Sequence, residues 1–236
     1  MGWKSGSGRI RCLRAALVVF GLSAALWPPA HAQQADAINL TATSANVRTP
    51  GSPVTIQIFR WSTDEERAPL LAALDPPPAP PPSAAGGGQG AGRGGPAGGR
   101  GRGAAPAAPL SPTEALAAAI AKAPSIGYIW TSEVTGYAIK YAFRAPLPDG
   151  GRRIVLATDR RLGAHSAAWQ PVVSTPLTDY EFTVIEMRLD AKGSGEAKSS
   201  LTTTVVADKV TGTVALENYA ATPTILQKVG PGADGR

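Results

Sequence analysis

Cysteine and histidine are almost missing from this 236-residue sequence, and their scarcity excludes several kinds of chemistry. Cys12 is the single cysteine, and the two histidines are His31 and His165. Cys12 and His31 both fall in a predicted signal peptide, so the mature chain has no thiol for a disulfide, a nucleophile or a metal ligand. A zinc site built on His165 would need carboxylates for every other ligand, which is uncommon. We therefore predict no metal site and no cofactor.

The common catalytic and nucleotide-binding motifs are also missing. The sequence contains no P-loop, no calcium-binding loop and no G-x-S-x-G elbow, and its glycine-rich tract follows no strand pattern. Asp159, His165 and Ser166 have the residue types of a hydrolase triad, but the adjacent His165 and Ser166 are expected to point in different directions. An ordinary polar loop is the simpler interpretation of this segment.

The positive charge of the chain lies in two segments that are not expected to fold. The formal net charge of +6 includes four basic residues in residues 1–32 and three arginines in residues 76–110, and neither segment contains an acid. The remainder therefore sums to −1, which leaves no basic surface suited to nucleic acid. The Gly-Arg repeats around Arg93, Arg100 and Arg102 lack interleaved aromatic residues, so we interpret them as a flexible spacer.

Residues 1–32 have the three parts of a secretory signal peptide. A basic start is followed by the apolar run Ala15–Trp27, which is too short for a stable membrane anchor. Ala30–Ala32 then matches a small-x-small cleavage site. We expect cleavage before Gln33, export to the periplasm or beyond, and no integral membrane span afterwards. The basic residues are Lys4, Arg9, Arg11 and Arg14.

A Pro-, Gly- and Ala-rich stretch at residues 76–110 is predicted to be a disordered insertion, because it cannot bury enough apolar surface to offset its ordering entropy. Capping boxes at Thr63–Glu66 and Ser111–Glu114 predict one helix on each side of it. Pro69 is expected to kink or restart the first helix. We predict one domain, residues 33–236, in which the two helices form a hairpin. Two small domains joined by a linker are the alternative, but the N-terminal piece has too little core to fold alone.

Strand patterns fill most of the remaining chain. The longest is Asp179–Leu189, which is rich in β-branched and aromatic residues and free of Gly and Pro. Together with Ser200–Val206 and Thr213–Tyr219 it predicts an antiparallel meander. We therefore predict an α+β fold with a mostly antiparallel β-sheet of about seven or eight strands, either open or curled into a barrel or sandwich. The other predicted strands are Ile38–Thr43, Val54–Trp61, Gly127–Ser132, Gly136–Arg144, Arg152–Thr158 and an edge strand at Thr224–Val229.

Glu186 is the most unusual charged residue of the predicted sheet. It shares a strand face with Tyr180, Phe182, Val184 and Arg188. A carboxylate on a mostly apolar face is either buried in an ion pair or lines a cavity. Arg188 or Arg144 is the expected partner in a structural ion pair, and a ligand-binding or catalytic role is the alternative.

Aromatic residues on or near the strand patterns are the other candidates for a binding site. They are suited to stack on a sugar ring or to enclose an apolar ligand, although aromatic residues at strand spacing also form ordinary cores. With Glu186 and Arg188, the candidate ligand-binding residues are Trp61, Trp130, Tyr137 and Tyr141. Tyr137, Ile139, Tyr141 and Phe143 are predicted to share one face of their strand.

Three segments of the chain resemble uncharacterised small exported proteins of soil bacteria. They are Arg60–Asp64, Leu156–Arg161, and Asp179–Phe182 with Glu186–Leu189. The resemblance implies no activity and no functional residue. We expect an exported, non-catalytic ligand-binding or envelope-associated β domain whose partner is a small molecule or an envelope protein. A carboxylate-dependent hydrolase using Glu186 and a structural module that docks a partner protein are the alternatives.

Overall fold

The computed structural model describes residues 37–75, 110–133 and 135–232. The predicted signal peptide and nearly all of the predicted disordered insertion lie outside these ranges. Ten β-strands and two α-helices form the described part of the chain. The strands are β1 (Ile38–Ser44), β2 (Pro53–Ile58), β3 (Gly127–Trp130), β4 (Tyr137–Pro146), β5 (Arg152–Thr158), β6 (Val184–Leu189), β7 (Gly195–Ser199), β8 (Val205–Asp208), β9 (Thr213–Leu216) and β10 (Thr224–Pro231). The helices are α1 (Asp64–Leu74) and α2 (Pro112–Lys122), and a short 3-10 helix covers Ala167–Trp169.

Eight of these strands close into a barrel, in the order β1-β2-β3-β4-β5-β6-β7-β10 around its circumference. Every neighbouring pair is antiparallel, including the closing pair β1 and β10. Strands β8 and β9 form a separate two-stranded hairpin between β7 and β10 in the chain. The α+β class, the mostly antiparallel sheet and the barrel are therefore confirmed.

The barrel wall is apolar on two faces because it separates two hydrophobic cores. The inner core fills the barrel with side chains such as Ile56, Ile129, Ile139, Leu156 and Met187. The outer core joins the opposite face of β4, β5 and β6 to the two helices and the β8–β9 hairpin. Its members include Leu70, Leu116, Ile120, Phe143, Val155, Phe182, Val184, Val214 and Leu216.

Both predicted capping boxes are present. The Thr63 side chain accepts a hydrogen bond from the backbone of Glu66, whose carboxylate accepts one from the backbone of Thr63, and Ser111 and Glu114 repeat the arrangement. Of the two predicted effects of Pro69, a kink or a restart of the helix, the restart is wrong, because α1 is continuous from Asp64 to Leu74. Pro69 is exposed on the solvent side, while the adjacent Leu70 anchors the helix in the outer core. No helix in the described ranges is long and apolar enough to cross a membrane.

A β-bulge in β4 corrects the predicted strand face. The register of β4 against β5 shifts between Ile139 and Tyr141. Tyr137 and Ile139 point into the inner core, whereas Tyr141 and Phe143 belong to the outer core. An extra residue at a bulge turns all later side chains to the other face. The four aromatic and aliphatic residues therefore do not share one face.

The predicted meander at residues 179–219 is also corrected. Strand β6 begins at Val184, five residues later than predicted, and its neighbour is β7 at Gly195–Ser199. Residues 200–204 form a turn, after which the chain leaves the barrel and forms the β8–β9 hairpin. Side-chain hydroxyls accept backbone N–H groups at this end of the β-sheet hydrogen bonding. Val184 N–H donates to Ser200 Oγ at 2.9 Å, and Thr183 N–H donates to Thr158 Oγ1 at 3.1 Å.

Two further strand predictions change. The segment at Thr224–Val229 was expected at a sheet edge, but β10 pairs with both β1 and β7 and completes the barrel. Strand β2 ends at Ile58 rather than Trp61. The chain then turns, so that Phe59 faces solvent and Trp61 enters the inner core.

Candidate functional site

The β2–β3 connection, which carries α1 and α2, lies at one end of the barrel, and four other connections meet at the opposite end, because neighbouring strands run antiparallel. They are residues 45–52, 131–136, 159–183 and 200–223. We call this the long-loop end. The mouths of β-barrels are frequent positions of ligand sites, since loops there converge on a rigid frame.

A cleft of about 490 Å³ opens at the long-loop end, between the loops 131–136 and 159–183. Its volume lies within the ~300–1,000 Å³ of typical ligand sites, and every residue that lines it has a polar or charged side chain. A polar ligand therefore fits it better than an apolar one. We call it the loop-end cleft, and its lining residues are Ser132, Glu133, Thr135, Arg160, His165 and Ser166.

Glu133 is the carboxylate of the loop-end cleft, and only one of its two oxygens is satisfied. Oε2 accepts a hydrogen bond from the Tyr137 hydroxyl at 2.7 Å, and the Gly163 N–H donates to that hydroxyl oxygen at 3.0 Å. Oε1 is shielded from solvent and has no hydrogen-bond partner among the described residues. Burial raises the pKa of Tyr137, and the bond to Glu133 raises it further, so the phenol stays a donor. A shielded carboxylate oxygen without a partner is costly, which favours a ligand that donates to it.

Arg160 fixes the wall of the loop-end cleft. Its Nη2 donates to the backbone carbonyls of Thr135 and Gly136, at 2.9 Å in both cases. Its guanidinium carbon lies 4.2 Å from the centroid of the Tyr137 ring, as in a cation–π contact. One cation thus joins the two loops that form the cleft. The cleft is therefore held open by the fold rather than assembled by a ligand.

The triad residue types meet at the cleft but not in triad geometry. His165 and Ser166 line it, while the Asp159 carboxylate accepts the backbone N–H of Ala138 at 3.0 Å and lies 3.6 Å from Arg160 Nη1. No hydrogen bond joins His165 to Ser166 or to a carboxylate within the described residues. The arrangement offers polar contacts to a ligand rather than an activated nucleophile.

The aromatic residues predicted to bind a ligand are distributed over three places. Tyr137 belongs to the inner core, and its hydroxyl donates a hydrogen bond to Glu133 of the loop-end cleft. Trp61 is buried in the inner core beyond the other end of β2, and Tyr141 belongs to the outer core. Trp130 lies on the outer surface of β3, 43 % exposed, directly before the cleft loop. Only Trp130 and Tyr137 are therefore near the same cleft.

Glu186 and Arg188 lie on the outer face of the barrel under the β8–β9 hairpin. Glu186 is 1 % exposed, and Arg188 Nη2 lies 3.0 Å from its Oε1. Arg188 was predicted as a partner and Arg153 was not. Arg153 Nη2 donates to Oε2 at 3.2 Å, and its Nε lies 3.0 Å from Oε1 outside hydrogen-bond alignment. The Leu216 N–H of the hairpin also donates to Oε2, at 3.2 Å. The carboxylate of Glu186 is therefore fully engaged by protein groups.

The hairpin is fastened to the barrel by two further contacts with this charged group. Arg153 Nη1 lies 2.8 Å from Oδ2 of Asp208, at the end of β8. The Tyr219 ring lies near two cations, 3.8 Å from the Arg188 guanidinium carbon and 4.7 Å from Lys198 Nζ. Such contacts are stronger away from water. We call Glu186, Arg153, Asp208 and Arg188 the hairpin clamp.

Asp208 makes the hairpin clamp sensitive to acid. Its bonds to Thr211 and Arg153 lower the pKa of its carboxyl from 3.8 to about 2. A lowered folded-state pKa stabilises the protein above the unfolded-state pKa, and this contribution disappears as the pH falls towards the folded value. We expect Asp208→Asn to lower the urea midpoint at pH 6, with the difference from wild type shrinking between about pH 4 and pH 2. Urea unfolding at a series of pH values tests this, and a difference that stays constant down to pH 2 would contradict it.

Clefts of similar volume occur elsewhere in the described part of the chain. One of about 570 Å³ lies beside α2 and is lined partly by Glu114, Asp179 and Glu181. Another, about 520 Å³, lies at the long-loop end and includes Arg48 and Arg161. Neither contains a shielded carboxylate oxygen without a partner. Within the described ranges, no group of three or more His, Cys, Asp and Glu side chains is placed to hold a metal ion.

Comparisons with known proteins provide no family and no relative for this chain. No family model matches it, and no curated protein or solved structure does either. The functional assignment therefore rests on the geometry of the chain itself.

Sequence reasoning did not predict the shared role of Glu133, Thr135 and Arg160. They lie on two loops that are separated by the whole β4–β5 hairpin and meet only when the barrel forms. The available signal was an acidic residue between two aromatic strand patterns, four residues before the tyrosine that begins the second strand. That pattern is too common in loops to indicate a site by itself.

Proposed function

We propose that this protein is an exported, non-catalytic ligand-binding domain, and that the loop-end cleft is its binding site. Export rests on the signal-peptide pattern of residues 1–32, and the cleaved chain would act in the periplasm, within the envelope, or outside the cell. The finer architecture belongs to the same proposal. Helices α1 and α2 pack against each other, which supports one helical hairpin that carries the Pro/Gly-rich insertion at residues 76–110.

The observation that carries the proposal is the shielded, unpaired Oε1 of Glu133 in a preformed polar cleft. Folding leaves a strong acceptor without a donor while every other part of that carboxylate is held by Tyr137. A ligand N–H or O–H would satisfy it once a rotation of the Glu133 carboxylate turns Oε1 from its shielded position towards the cleft. His165 and Ser166 add exchangeable polar contacts on the opposite wall. The supported ligand is a small polar molecule that carries hydroxyl or amine donors.

The two alternative functions have less support. A hydrolase using Glu186 requires that carboxylate to reach a substrate, but it is 1 % exposed and bonded to arginines and a backbone N–H. An assembly module docking through an exposed strand requires an unpaired sheet edge. All eight barrel strands are paired on both sides, so within the described residues the free strand edges are those of the two-stranded β8–β9 hairpin. Docking through the Pro-rich spacer at residues 76–110 is the other form of this alternative, and nearly all of that segment lies outside the described residues.

Replacing the Glu133 carboxylate by an amide tests the proposal. Glu133→Gln keeps the acceptor for Tyr137 but replaces the free oxygen by an amide donor. We expect a ligand that binds the wild type to lose at least about tenfold in affinity, since its donor would now meet a donor. Saturation-transfer NMR of the mature protein against sugars, amino sugars, amino acids and polyamines would find the binders and measure the change.

Glu65→Gln is the matched control, because Glu65 is exposed on α1 and lies outside the loop-end cleft. The control should bind as the wild type does, and thermal unfolding should show that both variants fold. Binders that respond equally to all three proteins would refute the assignment of the cleft.

A further inference from the structure

Three aromatic side chains form a row on the outer surface of the barrel beside the loop-end cleft. Phe59 and Trp130 are 54 % and 43 % exposed, and Tyr128 lies half-buried between them. The ring centroids are 6.0 Å apart for Phe59 and Tyr128, and 5.8 Å apart for Tyr128 and Trp130. We call Phe59, Tyr128 and Trp130 the aromatic strip. Exposed aromatic rows on a soluble surface usually mark a contact site.

The ring of Trp130 is held in place before any ligand arrives. Its Nε1 donates to Oε1 of Gln57 at 3.3 Å. Its other end rests on Gly136, where a Cβ atom would lie only 2.9 Å from Cε3 and Cζ3 of the indole. The absence of a Cβ at Gly136 therefore lets the indole lie against the backbone just before β4, while the side chain stays partly exposed. A fixed ring loses little entropy on binding, which favours affinity.

Polar but uncharged groups accompany the rings. Thr55 is paired across the strands with Trp130, and Gln57 with Tyr128. The neighbouring cation Lys140 donates to the Ala123 carbonyl at 3.1 Å. Stacking sites for single-stranded nucleic acid combine aromatic rings with a basic groove, which the strip does not have. Open rings beside hydroxyl and amide groups suit a pyranose, whose C–H face stacks on the ring while its hydroxyls form hydrogen bonds.

The aromatic strip continues into the loop-end cleft. Trp130 ends β3, and the next residues of the chain enter the loop that supplies Ser132, Glu133 and Thr135 to the cleft. Arg160 holds the same loop by its bonds to the Thr135 and Gly136 carbonyls. A linear ligand could therefore rest one unit on the strip and present the donors of the next unit to Glu133.

We infer that the ligand is a neutral oligosaccharide of pyranoses, with Trp130 as the stacking residue and the cleft as the neighbouring subsite. The inference builds on the proposed function and names the ligand class for that site. The aromatic strip adds ring surface for stacking beside the polar and charged side chains of the cleft.

Tryptophan fluorescence provides a direct test. Among the described residues, Trp61 and Trp169 are each 1 % exposed, so Trp130 is the tryptophan that a ligand can reach. Titration of the mature protein with cellohexaose, and separately with its N-acetylated counterpart chitohexaose, should shift the emission to the blue with saturation for at least one of them. Trp130→Ala should remove that shift and weaken binding in calorimetry by at least about tenfold.

Gly136→Ala provides a second variant that keeps the indole. The new methyl group would displace the indole ring of Trp130, so saccharide binding should weaken while the circular dichroism spectrum stays unchanged. Val210→Ala is the control, since Val210 is 95 % exposed on the β8–β9 hairpin and should have no effect.

The outcomes separate the inference from the proposed function. Loss of saccharide binding in both Trp130→Ala and Glu133→Gln supports the two together. If saccharide binding falls in Glu133→Gln but persists in Trp130→Ala, the aromatic strip is not part of the binding site, and the assignment of the cleft stands. A wild type that binds neither oligosaccharide, while it retains another small ligand dependent on Glu133, overturns the saccharide inference alone. The saccharide inference would also be overturned if Trp130→Ala changed only self-association, measured by sedimentation, and left saccharide binding unchanged.

Discussion

Arg153→Met is expected to destabilise the protein by about 3–5 kcal/mol, the usual effect of breaking a buried ion pair from one side. Arg153 contacts both carboxylates of the hairpin clamp, at 3.0 Å from Glu186 Oε1 and 2.8 Å from Asp208 Oδ2. Its loss leaves the buried Glu186 charge to Arg188, whose own side chain is 47 % exposed. Urea unfolding at pH 7 measures the change in the free energy of unfolding.

Lys209→Met is the matched control for this prediction. Lys209 pairs with Asp75 at 2.7 Å, but the two side chains are 75 % and 60 % exposed. Exposed pairs contribute about 0–1 kcal/mol, so this variant should unfold almost as the wild type does. Equal losses in the two methionine variants would show that the hairpin clamp does not hold the hairpin.

Gly127→Ala is expected to have the second largest effect, a loss of about 3 kcal/mol. A Cβ atom at Gly127 would lie 2.2 Å from the backbone oxygen of Gln57 and 3.1 Å from Cα of Ile58. Both neighbours belong to the paired strand β2, so the backbone must separate to admit the methyl group. Overpacking of this kind typically costs 1–3 kcal/mol, and the upper value applies when the obstacle is backbone.

The control lies in another barrel strand. A Cβ atom at Gly230 of β10 would meet nothing closer than Ser194 Oγ at 3.9 Å. Gly230→Ala should therefore leave stability unchanged or raise it slightly, because alanine loses less backbone entropy on folding than glycine does. Calorimetric unfolding of both variants checks the pair, and a Gly127→Ala protein as stable as wild type would disprove tight β2–β3 contact.

Local patterns predicted most elements of this fold, and long-range contacts account for the errors. The two capping boxes and the strand at Arg152–Thr158 needed only nearby residues, and all three are confirmed. Strand β7 was missed because Gly195–Ser199 contains residues that are depleted in strands. Gly195 is required for steric reasons, since a Cβ atom at this position would lie 2.0 Å from the Arg188 backbone oxygen. That requirement arises from the pairing of β6 with β7, which the residue types of the segment do not reveal.

The candidate site was less predictable than the fold for the same reason. Glu186 was correctly recognised as unusual, and its ion pairing with Arg188 was anticipated, but Arg153 comes from a neighbouring strand. The β-bulge in β4 separated Tyr141 from Tyr137, which an alternating pattern cannot reveal. Glu133 and Arg160 became neighbours of one cleft only through barrel closure.

The charged residues of the hairpin clamp stabilise the fold, whereas Glu133 of the loop-end cleft is proposed to bind a ligand. In the hairpin clamp every oxygen of Glu186 has a protein partner. In the loop-end cleft one oxygen of Glu133 has none among the described residues. A charge that is fully paired stabilises the fold, whereas one left half-paired in an accessible cleft offers a position to a ligand.

Native mass spectrometry of the protein purified gently from the exporting cell tests the central claim most directly. The account predicts that wild-type protein retains a non-covalently bound small molecule, and that Glu133→Gln protein from the same cell lacks it. The mass of the released molecule would give its chemical class. Wild-type protein that is a bare monomer, or that carries the same molecule when Glu133 is replaced, would contradict the assignment of the loop-end cleft as a binding site.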